Sequence, residues 1–219
     1  MSIQGVLWDM DGVLVDTGEF HYQAWSSTLA LHNIPFSFEI FQKTFGMNNW
    51  GVLSKLLGHE PDQVLYDTIS HQKEIYFREL IQGKAMPLPG VIETLRFLKF
   101  KGIRQAIASS APQENIDALV DALNLRDSFD AIISGYKMLG KPAPDVFLAS
   151  AKAIGVPPQN CLVIEDAVTG VEGAKRAGML CLAVTNTNPA EKLKRADYIV
   201  DSLLQIEPGF LDEVWVLAP

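Results

Sequence analysis

Cysteine is scarce in this chain of 219 residues: only Cys161 and Cys181 occur, and both lie in apolar runs. A buried free thiol is the usual state in such runs, so the two cysteines do not indicate a disulfide framework. No apolar run approaches the ~18–20 residues of a membrane-spanning helix, and residues 1–12 lack the basic and apolar segments of a signal peptide. We therefore expect a cytoplasmic protein without a membrane partner.

Basic residues are also few, because 18 Lys and Arg stand against 26 Asp and Glu, for a net charge of −8. A nucleic-acid or anionic-membrane surface requires a basic field, so we expect no nucleic-acid partner. Hydrophobic residues make up 48% of the chain and charged residues 20%, which excludes disordered and low-complexity classes. The composition therefore indicates a globular protein with a sizeable core.

Short apolar runs alternate with helical patterns along most of the chain. Runs rich in Val, Ile, Leu and Ala, without polar alternation, are typical of strands covered on both faces. They lie at residues 3–8, 104–108, 131–133, 161–164 and 180–184, with a weaker run at 198–200. Helical patterns at residues 91–100, 113–124, 145–154 and 168–177 separate them. This alternation predicts an α/β fold with a doubly wound parallel sheet.

The alternation is interrupted once, after the first strand. Residues 16–104 are nearly all helical in pattern and far exceed the dozen or so residues that a simple crossover needs. We therefore predict an inserted helical domain at residues 18–85, with residues 86–90 as the return linker. The remaining segments, 1–17 and 86–219, would form the core domain.

The first predicted strand leads into two carboxylates. Asp9 is predicted to be its last residue, and Asp11 points to the same side if the backbone stays extended. Gly12 follows and would let the backbone turn close to a ligand. The position matters because open α/β sheets bind ligands outside the carboxyl ends of their strands.

Other predicted strands also end in polar residues. Ser109 and Ser110 precede a helix, where hydroxyls and backbone N–H groups can form an anion site. Glu165 and Asp166 follow the fourth strand, and Lys141 lies between a glycine and two prolines. Taken singly, each is typical of a helix cap, a turn or a solvated charge.

Taken together, these residues predict a phosphoryl-transfer site. Two like charges ~4 Å apart repel by roughly 4 kcal/mol at an effective dielectric of about 20, so converging carboxylates need a countercharge. Hard oxygen ligands in an open site favour Mg²⁺. Lys141 and the Ser109 hydroxyl remain to hold the oxygens of a phosphate. In phosphoryl transfer, positioning and charge neutralisation carry most of the catalysis.

The motif series D-x-D-G-x-x-x-D-T, A-S-S, K-P-A-P-D and E-D-A-x-x-G resembles that of the haloacid dehalogenase-like (HAD) phosphotransferases and covers nearly the whole chain. The insertion after the first motif resembles the branch with a helical cap, which contains small-molecule phosphatases and β-phosphoglucomutase. The resemblance implies a Rossmann-like catalytic core, with residues 18–85 as the cap. It also implies a small-molecule phosphate ester as partner.

The resemblance further implies a role for each matching residue. Asp9 would be the nucleophile that becomes an aspartyl phosphate, and Asp11 would be the general acid/base. Ser109 and Lys141 would bind the transferring phosphoryl group, with Gly12 and Ser110 beside the substrate. The implied Mg²⁺ ligands are Asp9, the Asp11 backbone carbonyl, Glu165 and Asp166. The presence of Asp11 points to phosphate esters, because dehalogenases of the superfamily lack this aspartate.

The resemblance also places substrate-binding candidates in the cap. Residues 20–25 resemble the same stretch of β-phosphoglucomutase-like enzymes, which makes His21 and Trp25 candidates, although His21 is equally compatible with a helix position at the hinge. Residues 45–50 fall where the family carries its specificity loop, and here they offer Gly46, Asn48 and Asn49.

The specificity loop departs from the mutase pattern, since β-phosphoglucomutases typically supply an arginine there to the second phosphate of the substrate. Asn48 and Asn49 can hydrogen-bond sugar hydroxyls, but an amide lacks the charged fork that suits a phosphate. Lys43, Lys55 and Lys73 are possible substitutes, yet each is expected to be a solvated surface charge.

Three functions remain open. The first is a Mg²⁺-dependent phosphatase of a small phosphorylated metabolite, such as a sugar phosphate. The second is a hexose-phosphate mutase resembling β-phosphoglucomutase. The third, a non-catalytic binding protein on the same fold, is disfavoured because every catalytic position is filled.

Overall fold

A parallel sheet forms the centre of the computed structural model, which describes residues 3–44 and 47–206. Within these ranges the strands are β1 (Gly5–Trp8), β2 (Arg104–Ser109), β3 (Ala131–Ser134), β4 (Cys161–Glu165), β5 (Leu180–Val184) and β6 (Tyr198–Val200). Their order is β3-β2-β1-β4-β5-β6, and every neighbouring pair is parallel. The chain proceeds outward from β1 to β3, then returns to build β4 to β6 on the other side, which confirms the predicted doubly wound sheet.

The chain divides into two compact units. One unit is Thr17–Ala85, and the other comprises the described residues on either side of it, which include the whole sheet. The sequence prediction placed the boundary one residue later, at 18. In both ranges, no helix combines the length and the apolar character that crossing a membrane requires.

The smaller unit consists of helices α1 (Gly18–Leu31), α2 (Phe38–Thr44), α3 (Asn49–Leu57) and α4 (Gln63–Ile81). Its core is a buried apolar cluster that includes Trp25, Leu29 and Ile69. The start of α4 follows from its sequence, because the Asp62 carboxylate accepts the Leu65 N–H at 2.9 Å as an N-cap.

In the larger unit, helices cover both faces of the sheet: α5 (Val91–Phe100), α6 (Gln113–Ala122), α7 (Asp145–Ala153) and α8 (Val168–Arg176). Leu7 and Ala106 point to the face where residues of α7 and α8 complete a buried cluster. On the opposite face, the Gln105 side chain accepts from the Trp8 indole at 3.2 Å and donates to the Leu95 carbonyl of α5 at 3.1 Å. A sheet covered in this way explains why its strands lack polar alternation.

Element ends differ slightly from the sequence prediction. Strand β1 begins at Gly5 rather than at residue 3, because Gly5 is the first residue paired with both β2 and β4. It ends at Trp8, so Asp9 lies one residue beyond the strand, although the Asp9 N–H still donates to the Ile164 carbonyl at 3.0 Å. Helix α6 stops before Asn124, whose φ of +55° is left-handed.

Candidate active site

The carboxyl ends of β1, β2 and β4 meet at one edge of the sheet, since Trp8 is paired with both Ile107 and Ile164. This edge carries Asp9, Glu165 and Asp166, which are all buried. One carboxylate oxygen from each lies within 4.8 Å of the others. The strand order also reverses at β1, since β2 and β3 lie on one side of it and β4 to β6 on the other. Open α/β sheets bind their ligands in the crevice at such a switch point.

Lys141 lies inside this acidic group. Its Nζ is 2.5 Å from Asp9 Oδ1 and 2.5 Å from Glu165 Oε1, and only 9% of the lysine side chain is exposed. The ammonium also lies 5.0 Å from the centre of the buried Phe147 ring. The lysine therefore forms ion pairs with two carboxylates, one directly after β1 and one at the end of β4.

Burial and neighbouring charges shift the pKa values of the site residues. Burial raises the pKa of the Asp9 carboxyl well above its ordinary value, and the Lys141 ammonium only partly offsets this. Burial, followed by the neighbouring Glu165, raises the pKa of Asp166 to about 7. Burial alone would lower the pKa of Lys141, but the Asp9 and Glu165 carboxylates raise it above its ordinary value.

Carboxyl groups outnumber ammonium groups in this part of the structure, because Lys141 lies among the side chains of Asp9, Glu165 and Asp166. The Asp11 carboxylate lies outside that group of three but is close enough to raise the pKa of both Asp9 and Asp166. Hard oxygen donors in a buried, negatively charged group suit a divalent cation. The acidic group could therefore bind a metal ion.

Two glycines leave room for the Asp166 and Glu165 carboxylates, because a side chain at either position would clash with them. Gly12 has a φ of +84°, and a Cβ there would lie 2.0 Å from Asp166 Oδ2. A Cβ on Gly170, in the first turn of α8, would lie 1.8 Å from Glu165 Oε1. Gly170 was not among the predicted site residues, although it ends the E-D-A-x-x-G motif and could have been found there.

Replacing Gly170 with alanine is therefore expected to displace the Glu165 carboxylate and to weaken the binding of a divalent metal ion to the acidic group about tenfold or more, as disturbed metal surroundings typically do. Calorimetric titration of chelator-treated protein with Mg²⁺ measures the effect. Gly173→Ala, on the same helix, is the matched control because its Cβ would meet Phe147 at 3.1 Å and no site carboxylate. Equal Mg²⁺ affinity in the two variants would contradict the assignment.

The two serines after β2 differ in their surroundings. Ser109 is buried, and its Oγ accepts the Ala111 N–H at 3.1 Å, whereas Ser110 is exposed. The same loop is held by Ser134, at the end of β3, which donates to the Ala111 carbonyl at 2.6 Å. Sequence reasoning did not single out Ser134, because only the pairing of β2 with β3 brings it beside this loop.

The cap candidates lie in the smaller unit, except that Gly46 is outside the described residues. The His21 ring stacks on Phe77, with 4.2 Å between ring centroids, and Trp25 is buried in the core of the unit. Asn48 is the N-cap of α3, since its side-chain oxygen accepts the Gly51 N–H at 2.8 Å. All of these contacts of His21, Trp25 and Asn48 lie within the smaller unit.

The prediction that Lys73 is a solvated surface charge is wrong, because only 3% of the residue is exposed. Its Nζ lies 3.0 and 3.1 Å from the two Glu74 carboxylate oxygens, and Asn49 Nδ2 donates to Glu74 Oε1 at 2.8 Å. The ammonium also lies 5.6 Å from the Trp25 ring centroid. A buried ammonium needs such a partner because an uncompensated charge is costly to bury. In contrast, the side chains of Lys43 and Lys55 are exposed, as expected.

A doubly wound sheet with buried carboxylates and a lysine at its carboxyl edge is the arrangement of an α/β enzyme. Residues 3–178 match the family of haloacid dehalogenase-like hydrolases, and the chain belongs to this family. The resemblance found in the motifs is thereby confirmed. The prediction of an enzyme of the phosphatase or phosphotransferase type is confirmed as well.

Relatives of known name include mutases and phosphatases. The chain is 31% identical over 222 residues to the beta-phosphoglucomutase of Bacillus subtilis, covering 97% of this chain and 96% of that one. It is 30% identical over 182 residues to the phosphorylated carbohydrates phosphatase of Thermotoga maritima, covering 81% and 82%. It is 36% identical over 209 residues to the chloroplastic protein SUPPRESSOR OF QUENCHING 1 of Arabidopsis thaliana, covering 89% of this chain but only 19% of that protein.

Solved structures give the same relationship. The crystal structure of CbbY from Rhodobacter sphaeroides in complex with phosphate is similar to this chain with a TM-score of 0.87 and 27% identity. The alignment covers 96% of this chain and 99% of that one.

Proposed function

We propose that this chain is a Mg²⁺-dependent phosphatase of a sugar monophosphate that works through an aspartyl phosphate on Asp9. The observation that carries the proposal is Lys141, which bridges Asp9 and Glu165 within a buried acidic group at the carboxyl ends of β1 and β4. The Thermotoga relative, named for phosphorylated carbohydrates, supports the substrate class.

The donor set fits Mg²⁺, because the buried carboxylates are hard oxygen ligands and outnumber the single ammonium of Lys141. Asp9, Glu165, Asp166 and the Asp11 backbone carbonyl would hold the ion. When bound, Mg²⁺ neutralises negative charge on the transferring phosphoryl group and its surroundings.

The proposed chemistry divides among three side chains. An Asp9 carboxylate oxygen attacks phosphorus, so a P–O bond forms to Asp9 while the P–O bond to the sugar breaks. Asp11 donates a proton to the departing sugar oxygen and afterwards takes one from the water that cleaves the aspartyl phosphate. Lys141 stabilises the anionic form of Asp9 and, together with Ser109, holds phosphoryl oxygens.

We assign the smaller unit the role of a cap that excludes water and reads the sugar, with His21, Trp25, Gly46, Asn48 and Asn49 as the candidate contacts. Its buried lysine is neutralised by Glu74, and amides rather than cations occupy positions 48 and 49. Such a composition favours hydroxyl groups over a second phosphate. It therefore favours a phosphatase over a mutase, despite the mutase among the relatives.

The proposal is tested by incubating the protein with a panel of hexose and pentose monophosphates and Mg²⁺. We expect inorganic phosphate to be released from at least one of them. Phosphate release should stop after thorough chelation and return when Mg²⁺ is added. Ca²⁺ should restore less of the activity, because it prefers more ligands at longer distances. Full activity after chelation would contradict the metal assignment.

An isomerisation assay on β-glucose 1-phosphate, run on the same samples, separates the alternatives. Conversion to an isomeric hexose phosphate without phosphate release would establish the mutase. Binding of sugar phosphates without either reaction would establish the non-catalytic protein.

A further inference from the structure

The loop after β5, residues 185–188, hydrogen-bonds to both halves of the candidate site. Asn186 Nδ2 donates to the Gly12 carbonyl at 2.8 Å, in the loop that carries Asp9 and Asp11. Asn188 Nδ2 donates to the Asp166 carbonyl at 3.1 Å, at the end of β4. Three strand ends are therefore joined through this one loop.

Thr187 lies between these two contacts and reaches the acidic group itself. Its hydroxyl lies beside the Asp166 carboxylate and lowers the pKa of that group, against the opposite effect of burial. A Cβ built on Gly12 would lie 2.7 Å from Thr187 Oγ1 and 2.0 Å from Asp166 Oδ2, so hydroxyl and carboxylate lie against the same side of Gly12. The hydroxyl and the carboxylate are therefore neighbours at the point where Gly12 approaches them.

The loop is anchored at a point outside the site. The Thr185 N–H donates to the Val200 carbonyl of β6 at 3.0 Å, and the Thr185 hydroxyl donates to Asp201 Oδ1 at 2.9 Å. These contacts of Thr185 lie outside the acidic group.

We propose that Thr187 is a positioning residue that orients the Asp166 carboxylate toward Asp9, and that Asn186 and Asn188 fix the place of Thr187. The physical reason is repulsion: adjacent carboxylates in a buried site move apart unless a neutral donor holds them. A hydroxyl supplies one such donor without adding charge, so the site keeps its capacity for a cation. The inference rests on the proposed Mg²⁺ site.

The test is the Mg²⁺ affinity of chelator-treated protein, measured by calorimetry without substrate. Thr187→Val removes the donor at nearly constant volume and is expected to weaken Mg²⁺ binding by about 10–100-fold, the usual effect of losing a partner of a metal ligand. Thr187→Ser keeps the hydroxyl donor and should bind Mg²⁺ nearly as tightly as wild type. Thr185→Val is the matched control, because it removes a hydroxyl of the same loop that bonds outside the site.

Thermal melting in chelator provides the second measurement. Positioning predicts that Thr187→Val loses Mg²⁺ affinity while melting no lower than Thr185→Val. Unchanged Mg²⁺ affinity in Thr187→Val, or equal losses in both valine variants, would overturn the inference.

Failure of the proposed function has a different signature. If wild type binds Mg²⁺ and Thr187→Val binds it more weakly, the inference holds even when no sugar phosphate is hydrolysed. Absence of Mg²⁺ binding in the wild type would overturn both.

Discussion

The Asp9→Asn variant is expected to fold and to retain less than about one per cent of wild-type turnover, because a neutral amide cannot attack phosphorus. Asparagine has nearly the shape of aspartate, and Lys141 keeps its 2.5 Å contact with Glu165 as a partner. Burial disfavours the charged form of Asp9, which raises the pKa of its carboxyl group. A neutral amide costs less to bury than a carboxylate, so we expect the fold to tolerate the change. The loss should therefore appear in chemistry rather than in stability.

The effect of Asp9→Asn on chemistry and on stability is measured by turnover and by thermal melting of the variant. Acid quenching of the wild-type reaction is used in addition to trap the phosphorylated protein. Asp121→Asn on α6 is the control, since that side chain is 65% exposed and pairs with Arg126. Substantial residual turnover in Asp9→Asn, or a phosphoenzyme that still forms in it, would remove Asp9 from the role of nucleophile.

The Asp11→Asn variant is expected to lose about 10²–10⁴-fold in rate, the range that general acid–base catalysis typically contributes. As the general acid/base, Asp11 would donate a proton in the first half-reaction and take one from water in the second, so the loss should appear in both formation and hydrolysis of the phosphoenzyme. Mg²⁺ affinity should change little, because Asp11 would bind the ion through its backbone carbonyl. This distinguishes Asp11 from Asp166, whose carboxylate belongs to the buried acidic group.

The measurement for Asp11 is turnover as a function of Mg²⁺ concentration. A large loss that excess Mg²⁺ fully restores would reassign Asp11 to the metal site. Near-wild-type turnover would reduce it to a residue of the turn after β1. A leaving group of low basicity offers a further check, because it needs less protonation and should recover part of the rate of phosphoenzyme formation in Asp11→Asn.

Local sequence pattern was sufficient for most of the elements. Strands covered on both faces must be apolar along their length, so β2 to β5 could be predicted within a residue or two at each end. Even the short run at Tyr198–Val200 forms a strand, β6, which pairs with β5 at the edge of the sheet. Ends such as those of β1 were less predictable, since they depend on where the neighbouring strands begin.

The residues at the strand ends could also be predicted, because the chemistry is concentrated in a few short motifs. Asp9, Glu165 and Asp166 follow apolar runs directly, and parallel strands bring such positions to one edge. The motifs gave the family as well, since their order and spacing are specific even where each residue alone is ordinary.

Only the tertiary structure decided which of these groups touch and which charges are buried. Lys141 and Asp9 are 132 residues apart, and their contact depends on the packing against β1 of α7, the helix that follows Lys141. Lys73 reads as a surface charge in the sequence, yet packing with Trp25 and Glu74 buries it. Thr187 acquires its contact with Asp166 only because β5 follows β4 in the sheet. Sequence periodicity indicates which face of a helix or strand is apolar. The hydrogen-bond or ion-pair partner of a buried polar group, in contrast, is supplied by elements that are distant in the chain.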